Sequence, residues 1–186
     1  MEKKLIRTFI CIDFPKEIIG EIARVQELIG KNKFIGKFTE VENLHLTLKF
    51  LGEISEERLE KIRKLLKDIK FDEMSLKLGN IGTFTYKGNP RIIWIKILGQ
   101  EIWSLQSKID KKMNELGFKL EEDFMSHLTI ARIKYVKNKK EFIESVKNVN
   151  VREVKFKKVK FKLKSSELKP IGPVYTTIQE YIGEKI

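Results

Sequence analysis

The sequence is poor in the residues that build disulfides and metal centres, with one cysteine and two histidines among 186 residues. The single cysteine, Cys11, excludes an internal disulfide, and its apolar neighbours are typical of a small buried side chain. A zinc site needs three or four His, Cys or carboxylate ligands, and no motif here brings that many together. The sequence also lacks a glycine-rich phosphate-binding loop and a Ser-His-Asp spacing. We therefore expect neither a metal nor another cofactor.

Long apolar runs are also absent, since none approaches the roughly 20 residues that a membrane-spanning helix requires. The apolar residues 5–14 are interrupted by Arg7 and Asp13, and no small-residue cleavage site follows, so we expect no signal peptide. Hydrophobic residues at 41% and charged residues at 34% are typical of a soluble globular protein. These features predict a cytoplasmic protein without a membrane anchor, and we expect a monomer.

Positive charge is in excess, with 38 Lys and Arg against 26 Asp and Glu and a formal net charge of +12. Such an excess attracts polyanions such as RNA. A composition rich in Lys, Glu and Ile is also typical of hyperthermophile proteins, in which networks of surface ion pairs add stability. The charge alone leaves both explanations open.

Both histidines head the same short motif, His-Leu-Thr followed by an aliphatic residue, at residues 45–48 and 127–130. In a strand, alternate side chains share a face, so each histidine lies beside a threonine while the intervening leucine points to the opposite, buried face. A single copy would be an ordinary strand. Two copies that together contain every histidine of the chain indicate a functional site.

The elements predicted around the two motifs follow one order: strand, helix, histidine strand, helix, strand. The histidines are 127 − 45 = 82 residues apart, and the helix start signals Ser55 and Asn138 are 138 − 55 = 83 apart. This internal duplication, broken near residues 82–90, predicts a single bilobal α+β domain over residues 1–186. Each pseudo-symmetric lobe is expected to be an antiparallel sheet with outer helices. An active-site cleft between the lobes would hold one His-Thr pair from each.

Four local features refine this expectation. Residues 31–37 are predicted as a basic loop, and the first histidine strand is predicted to end at Gly52. Residues 81–90 are dense in glycine and turn formers and are predicted as a loop. The apolar alternation changes phase at Lys157 and Lys158, which indicates a β-bulge.

Two imidazoles and two hydroxyls suit displacement at phosphorus. An imidazole titrates near pH 6.5, so one histidine can act as a base while the other acts as an acid. An in-line displacement needs a proton removed from the attacking oxygen and another delivered to the leaving oxygen on the opposite side. Threonine hydroxyls can donate hydrogen bonds to the non-bridging phosphate oxygens.

With these motifs the chain resembles the 2H phosphoesterase superfamily (LigT-like fold), and within it the RNA 2′,3′-cyclic phosphodiesterase family, also called 2′-5′ RNA ligases. Its other matching blocks argue for this family over the tRNA-splicing and ADP-ribose cyclic phosphodiesterases. The matching blocks are RTFICI at residues 7–12, HLTLKFLGE at 45–53, PRIIW at 90–94, HLTIAR at 127–132 and GPVY at 172–175. The resemblance implies metal-independent hydrolysis of a terminal RNA 2′,3′-cyclic phosphate to a 2′-phosphate. It also implies, for some members, a reversible ligation that joins RNA ends by a 2′-5′ bond.

The resemblance also implies the roles of individual residues. His45 would be the general acid that protonates the leaving 3′ oxygen, and His127 would activate water. Thr47 and Thr129 would hold the phosphate, and Arg132 would contact it. Strict alternation puts Arg132 on the face of the buried leucines, so it reaches the site only if the strand twists or ends there. Ser126 departs from the family, which usually has proline before the second histidine.

Two further features have competing interpretations. Phe84 and Tyr86 could stack a terminal base, or one ring could fill the junction between the lobes. The lysines that alternate over residues 155–164 could guide RNA or protect a strand edge from pairing. The alternative function for the whole chain is a non-catalytic basic RNA-binding module, which leaves the paired histidines unexplained.

Overall fold

A computed structural model describes residues 5–30, 33–170 and 172–184. Within these residues the chain forms a nine-stranded sheet, four α-helices and a 3₁₀ turn at Val41–Asn43. The strands are β1 (Leu5–Asp13), β2 (Ile35–Phe38), β3 (His45–Ser55), β4 (Met74–Tyr86), β5 (Asn89–Leu98), β6 (His127–Tyr135), β7 (Lys155–Lys158), β8 (Lys160–Lys169) and β9 (Gly172–Ile182). The helices are α1 (Lys16–Ile29), α2 (Glu56–Lys67), α3 (Gln100–Asn114) and α4 (Lys139–Lys147). None of these helices is long and apolar enough to cross a membrane.

The helices begin and end at the residues that the sequence indicates. Helix α1 follows Pro15 and ends before Gly30, whose φ of 77° is the left-handed conformation that favours glycine. The Ser55 hydroxyl accepts a hydrogen bond from the Arg58 N–H at 3.3 Å and caps α2. The side chain of Asn138 accepts one from the Glu141 N–H at 3.3 Å and caps α4. Both predicted start signals are therefore confirmed.

The strands form one antiparallel sheet in the order β7-β4-β5-β6-β3-β1-β8-β9, with β2 paired to β6. In its centre β6 and β3 share a single register pair, Leu46 with Leu128. This narrow junction separates two lobes, β7-β4-β5-β6 and β3-β1-β8-β9. β7 and β8 are far apart in the strand order but only Val159 separates them along the chain, so the sheet must curl. The predicted α+β fold with two antiparallel lobes is confirmed.

The helices cover the outer side of this curled sheet. Helix α2 packs on β3 and β9, α3 on β3 and β4, and α4 on β4 and β5. Ile62 of α2, Ile109 of α3 and Phe142 of α4 are buried in the common core. The concave side of the sheet is thereby left for the side chains that alternate with the core residues.

Each half of the chain contributes strands to both lobes. β4 comes from the first half but pairs with β5 of the second, and β8 comes from the second half but pairs with β1 of the first. The pairs β1–β3, β1–β8 and β8–β9 in one lobe thus correspond to β5–β6, β5–β4 and β4–β7 in the other. This correspondence supports the predicted internal duplication, which we retain as a proposal.

The prediction of a loop at residues 81–90 is wrong. β4 continues to Tyr86, β5 starts at Asn89, and Lys87 and Gly88 form a two-residue turn with φ of 48° and 72°. Gly82 lies inside β4 because the Trp94 ring packs against it: a Cβ there would lie 2.4 Å from a ring carbon. The glycines of this segment thus serve a hairpin turn and a close side-chain contact.

Three further boundaries also differ from prediction. Part of the basic segment 31–37 forms β2, because it pairs with β6; residues 31 and 32 lie outside the described residues. β3 does not end at Gly52 but passes through it, with φ of 72°, to Ser55. The phase change at Lys157 and Lys158 is a strand break, because β7 pairs with β4 while β8 pairs with β1 in the other lobe.

Candidate active site

The two histidine motifs lie side by side at the junction of the lobes. Because Leu46 and Leu128 are register partners in antiparallel strands, His45 lies opposite Thr129 and Thr47 opposite His127. Both leucines are buried in the core. The histidines and threonines therefore share the concave face and line one cavity of about 110 Å³. The cavity lining consists of Lys37, Phe38, Thr39, Glu40, Asn43, His45, Thr47, His127, Thr129, Arg132, Pro173 and Tyr175.

Arg132 also lines this cavity, although strict alternation predicts the opposite face. The register of β6 with β5 shifts between Ala131 and Thr129, which leaves Ile130 without a partner on β5. This bulge buries Ile130 and Ala131 consecutively and changes the parity of the strand. Arg132 is thereby turned to the side of His127. The structure thus places all five predicted catalytic and phosphate-binding residues around one cavity.

β3 carries the same bulge at the equivalent position. Its register with β1 shifts so that Leu48 has no partner, and Leu48 and Lys49 are buried consecutively. The two bulges are 130 − 48 = 82 residues apart, which equals the spacing of the histidines. Strict alternation would place Phe50 on the face of the leucines, but it is 49% exposed, with the Arg7 guanidinium 4.8 Å from its ring centre.

The two imidazoles are held in the same way. The Nδ1 of His45 lies 2.7 Å from the carbonyl oxygen of Asn43, and the Nδ1 of His127 lies 2.7 Å from that of Met125. A carbonyl can only accept, so Nδ1 carries the proton in both rings. Nε2 is therefore the nitrogen of each ring that remains to exchange protons with a molecule in the cavity.

Burial favours the neutral form of both imidazoles. It lowers the pKa of His45 from the usual 6.5 to about 4; the positive charges of Lys164 and Arg132 add to this effect, while the Asn43 carbonyl and Asp13 oppose it. Burial also lowers the pKa of His127, with Arg132 acting in the same direction and the Met125 carbonyl opposing. An anion bound beside Arg132 would offset these charges and favour the protonated rings.

Aromatic rings fix the positions of both histidines. Phe9 and Tyr175 lie 4.9 and 5.1 Å from the His45 ring centre, and Phe84 packs edge-on against His127 at 5.0 Å. Phe84 also lies 5.5 Å from Trp94. Tyr86 is 63% exposed, and neither Phe84 nor Tyr86 lines the cavity. Base stacking by this pair stays a prediction, and both belong to a strand rather than to the loop in which they were expected.

Several residues of the cavity were not predicted. Asn43 orients His45 through its backbone, which no side-chain pattern shows. Tyr175 and Pro173 reach the cavity from β9, at the far end of the chain. Both residues belong to the family-matching block at residues 172–175, but that match indicated no role for either of them. Within the described parts of the chain, no group of three or more His, Cys, Asp or Glu side chains is placed to hold a metal ion.

The arrangement combines an anion-binding group with two proton-transfer groups. Arg132 supplies a positive charge, Thr47 and Thr129 supply hydroxyl donors, and one imidazole lies on each side of the strand junction. Such a site can hold a phosphate group between a base and an acid.

Comparison with known proteins agrees with this geometry. The family model of LigT-like phosphoesterases matches residues 12–94 and 97–175. An RNA 2′,3′-cyclic phosphodiesterase of Methanocaldococcus jannaschii is 42% identical over 95% of this chain and 100% of its own length. One of Methanothermobacter thermautotrophicus is 31% identical over 95% and 98%.

Solved structures share the fold. A crystal structure of the Thermus thermophilus protein TT0787 has a TM-score of 0.80 at 26% identity and covers 96% of this chain and 99% of its own. Escherichia coli LigT in complex with 3′-AMP has a TM-score of 0.77 at 22% identity, with 96% and 98% covered. With a paired histidine site, a two-lobed sheet and a family model that spans most of its length, the chain belongs to the LigT-like phosphoesterase family.

Proposed function

We propose that this protein hydrolyses the 2′,3′-cyclic phosphate at the 3′ end of RNA to a 2′-phosphate. The observation that carries the proposal is the placement of both His-Thr pairs and Arg132 around one cavity. The names of the Methanocaldococcus and Methanothermobacter relatives support the substrate class. We expect the protein to act without a metal, as a monomer in the cytoplasm.

The reaction would proceed by general acid and base catalysis from opposite sides of the phosphorus. His127 takes a proton from water through Nε2 as the water oxygen attacks phosphorus. The bond from phosphorus to the 3′ oxygen breaks, and the Nε2–H of His45 protonates that oxygen. Thr47, Thr129 and Arg132 bind the non-bridging oxygens and stabilise the negative charge on them.

The assignment of His45 as the acid requires that its protonation state changes when substrate binds. Burial lowers the pKa of His45 to about 4, so the ring is neutral at pH 7. To act as the acid it must gain a proton when the anionic substrate binds, since the substrate offsets the charges of Arg132 and Lys164. With an RNA 5′-hydroxyl in place of water, the same attack on phosphorus and loss of the 3′ oxygen would form a 2′-5′ bond.

The test is the conversion of an oligoribonucleotide that ends in a 2′,3′-cyclic phosphate, with a chelator present. Phosphorus NMR distinguishes the cyclic diester from the 2′- and 3′-monoesters. We expect only the 2′-monoester. Binding of the oligonucleotide without any turnover would contradict the proposal and favour the non-catalytic RNA-binding module.

A further inference from the structure

A row of lysines lies on the concave face next to His45. Lys160, Lys162 and Lys164 alternate along β8, so their side chains point to one face of the sheet. β1 lies between β8 and β3, and its last residue, Asp13, is the register partner of His45. Asp13 also binds Lys164 at 2.6 Å. The row therefore starts beside the catalytic cavity and leads away from it.

The carboxylates near this row are too few for its lysines. Asp13 is shared by Lys164 and Lys162, at 2.6 and 2.9 Å. Glu180 is shared by Lys162 and Lys160, at 2.9 and 3.3 Å. Three ammonium groups thus form their ion pairs with two carboxylates.

Lys158 adds a fourth positive charge and is half-buried. In the described part of the chain no carboxylate lies within ion-pairing distance of its Nζ, and burial lowers its pKa. Asp13 and Glu17 attract Lys158 at longer range, and four lysines against Asp13, Glu180 and Glu17 leave a net charge of about +1 at this place. A partly desolvated cation without a partner is unfavourable unless an anion completes the site.

An open cavity of about 360 Å³ lies at these charges. We call Lys158, Lys160 and Lys162 the lysine cluster, and all three line the cavity together with Lys157, Asp13 and Glu180. Lys157 differs from the cluster, because it has a carboxylate of its own, Glu73 at 2.7 Å. Lys155 lies outside this cavity and shares Glu153 with Lys77, at 3.5 and 2.7 Å. Among the lysines that line the cavity, Lys158 is thus the one for which the described residues hold no ion-pairing carboxylate.

We propose that the lysine cluster binds a backbone phosphodiester of the RNA on the 5′ side of the terminal nucleotide. This inference rests on the proposed function and extends it to a second anion-binding site. The catalytic cavity is small and holds the terminal phosphate, and the next negative charges on the same strand are backbone phosphates. Asp13, which contacts the lysine row and pairs with His45 in the sheet, links the two sites.

The experiment compares kcat/KM for a nucleoside 2′,3′-cyclic phosphate and for a tetranucleotide with the same end. In the wild-type protein we expect a preference for the tetranucleotide. Lys158→Ala should reduce that preference about fivefold and lower the slope of log kcat/KM against log salt by about 0.7, as the loss of one phosphate contact does. Lys155→Ala is the matched control from the same strand and should leave the preference unchanged. Lys158→Arg should restore most of it.

A third substrate identifies the backbone charge as the cause. In a tetranucleotide with uncharged methylphosphonate linkages, the preference should be absent from the wild-type protein and unaffected by Lys158→Ala. Lys160→Ala, at an exposed position of the cluster, is the second variant and should act as Lys158→Ala does. Thermal unfolding of each variant checks that it is folded.

Four results would overturn the inference. The first is an unchanged preference for the tetranucleotide in both cluster variants, and the second is an equal loss of that preference in Lys155→Ala. The third is an equal effect of Lys158→Ala on the substrate with uncharged linkages, and the fourth is no preference in the wild-type protein. If one of these results is found and the wild-type protein still hydrolyses the nucleoside substrate, the proposed function stands. Only the proposed role of the lysine cluster is then wrong. If it hydrolyses neither substrate, the proposed function fails and this inference fails with it.

Discussion

Each imidazole of the candidate site is oriented by the backbone just before its own strand. The carbonyls of Asn43 and Met125 fix Nδ1 at 2.7 Å, so no second side chain is needed to set the tautomer. The motif His-x-Thr then places a hydroxyl on the same face two residues later. A short string of residues thus specifies most of the site, which is why four of its residues could be predicted from sequence alone.

The pH dependence of the reaction follows from the two histidines. Burial puts the pKa values of both rings below the usual 6.5, and that of His45 is about 4. Because kcat/KM reports the free enzyme and needs one neutral and one protonated ring, its maximum should lie below about pH 6.5. The maximum of kcat should lie at higher pH, because the bound anion favours the protonated rings. Initial rates from pH 4 to 9 measure both profiles; a kcat/KM that rises through pH 7 would contradict this expectation.

Arg132 provides a second prediction at the residue scale. In the proposed mechanism its loss removes a charge-assisted contact to the phosphate, which is worth about 1.5–3 kcal/mol, so Arg132→Ala should reduce kcat/KM about tenfold or more. Arg91→Ala is the control, since Arg91 is exposed and donates a hydrogen bond to the Lys134 carbonyl at 2.9 Å. Equal kcat/KM for Arg132→Ala and Arg91→Ala would show that Arg132 does not bind the phosphate.

At the scale of the strand, the two bulges decide which side chains reach the cavity. Ile130 has no register partner on β5 and Leu48 has none on β1, because two residues of the bulged strand there face one residue fewer on the neighbouring strand. The sequence of β6 alone shows neither β5 nor this register, and so alternation gave the wrong face for Arg132. A bulge is a property of a pair of strands, and the pair is formed only in the fold.

The junction of β3 and β6 gives a prediction about strands. Leu46 is 1% exposed and is the register partner of Leu128 beneath the site. Leu46→Ala leaves a cavity in the core and should lower the free energy of unfolding by about 2–5 kcal/mol. Urea unfolding measures this loss. Leu168→Ala, at a position that is 71% exposed, should change it by less than about 0.5 kcal/mol. Equal stability of the two variants would show that the junction is not a packed part of the core.

At the scale of the whole molecule, the lobes do not coincide with the two halves of the sequence. β4 and β8 each leave their own half and pair in the other lobe. The repeat of motifs predicted two lobes, but the order of elements along the chain contains no signal for this exchange. The exchange also explains the break at Val159, where the chain passes from one lobe to the other.

This exchange predicts that the protein unfolds as a unit. Neither lobe is complete without strands from both halves, so neither should be stable alone. Far-UV circular dichroism and the fluorescence of Trp94 and Trp103 should give coincident urea transitions, because Trp94 lies in β5 and Trp103 in α3. Two separate transitions would indicate that the lobes unfold independently.

The central claim is that two histidines perform the chemistry, and single-residue variants test it most directly. Turnover of a 2′,3′-cyclic-phosphate-terminated oligonucleotide is measured with a chelator present for the wild-type protein, His45→Ala and His127→Ala. Each variant should lose about a hundredfold or more in kcat while remaining folded, because general acid or base catalysis contributes about that much. Wild-type turnover in both variants would contradict the account.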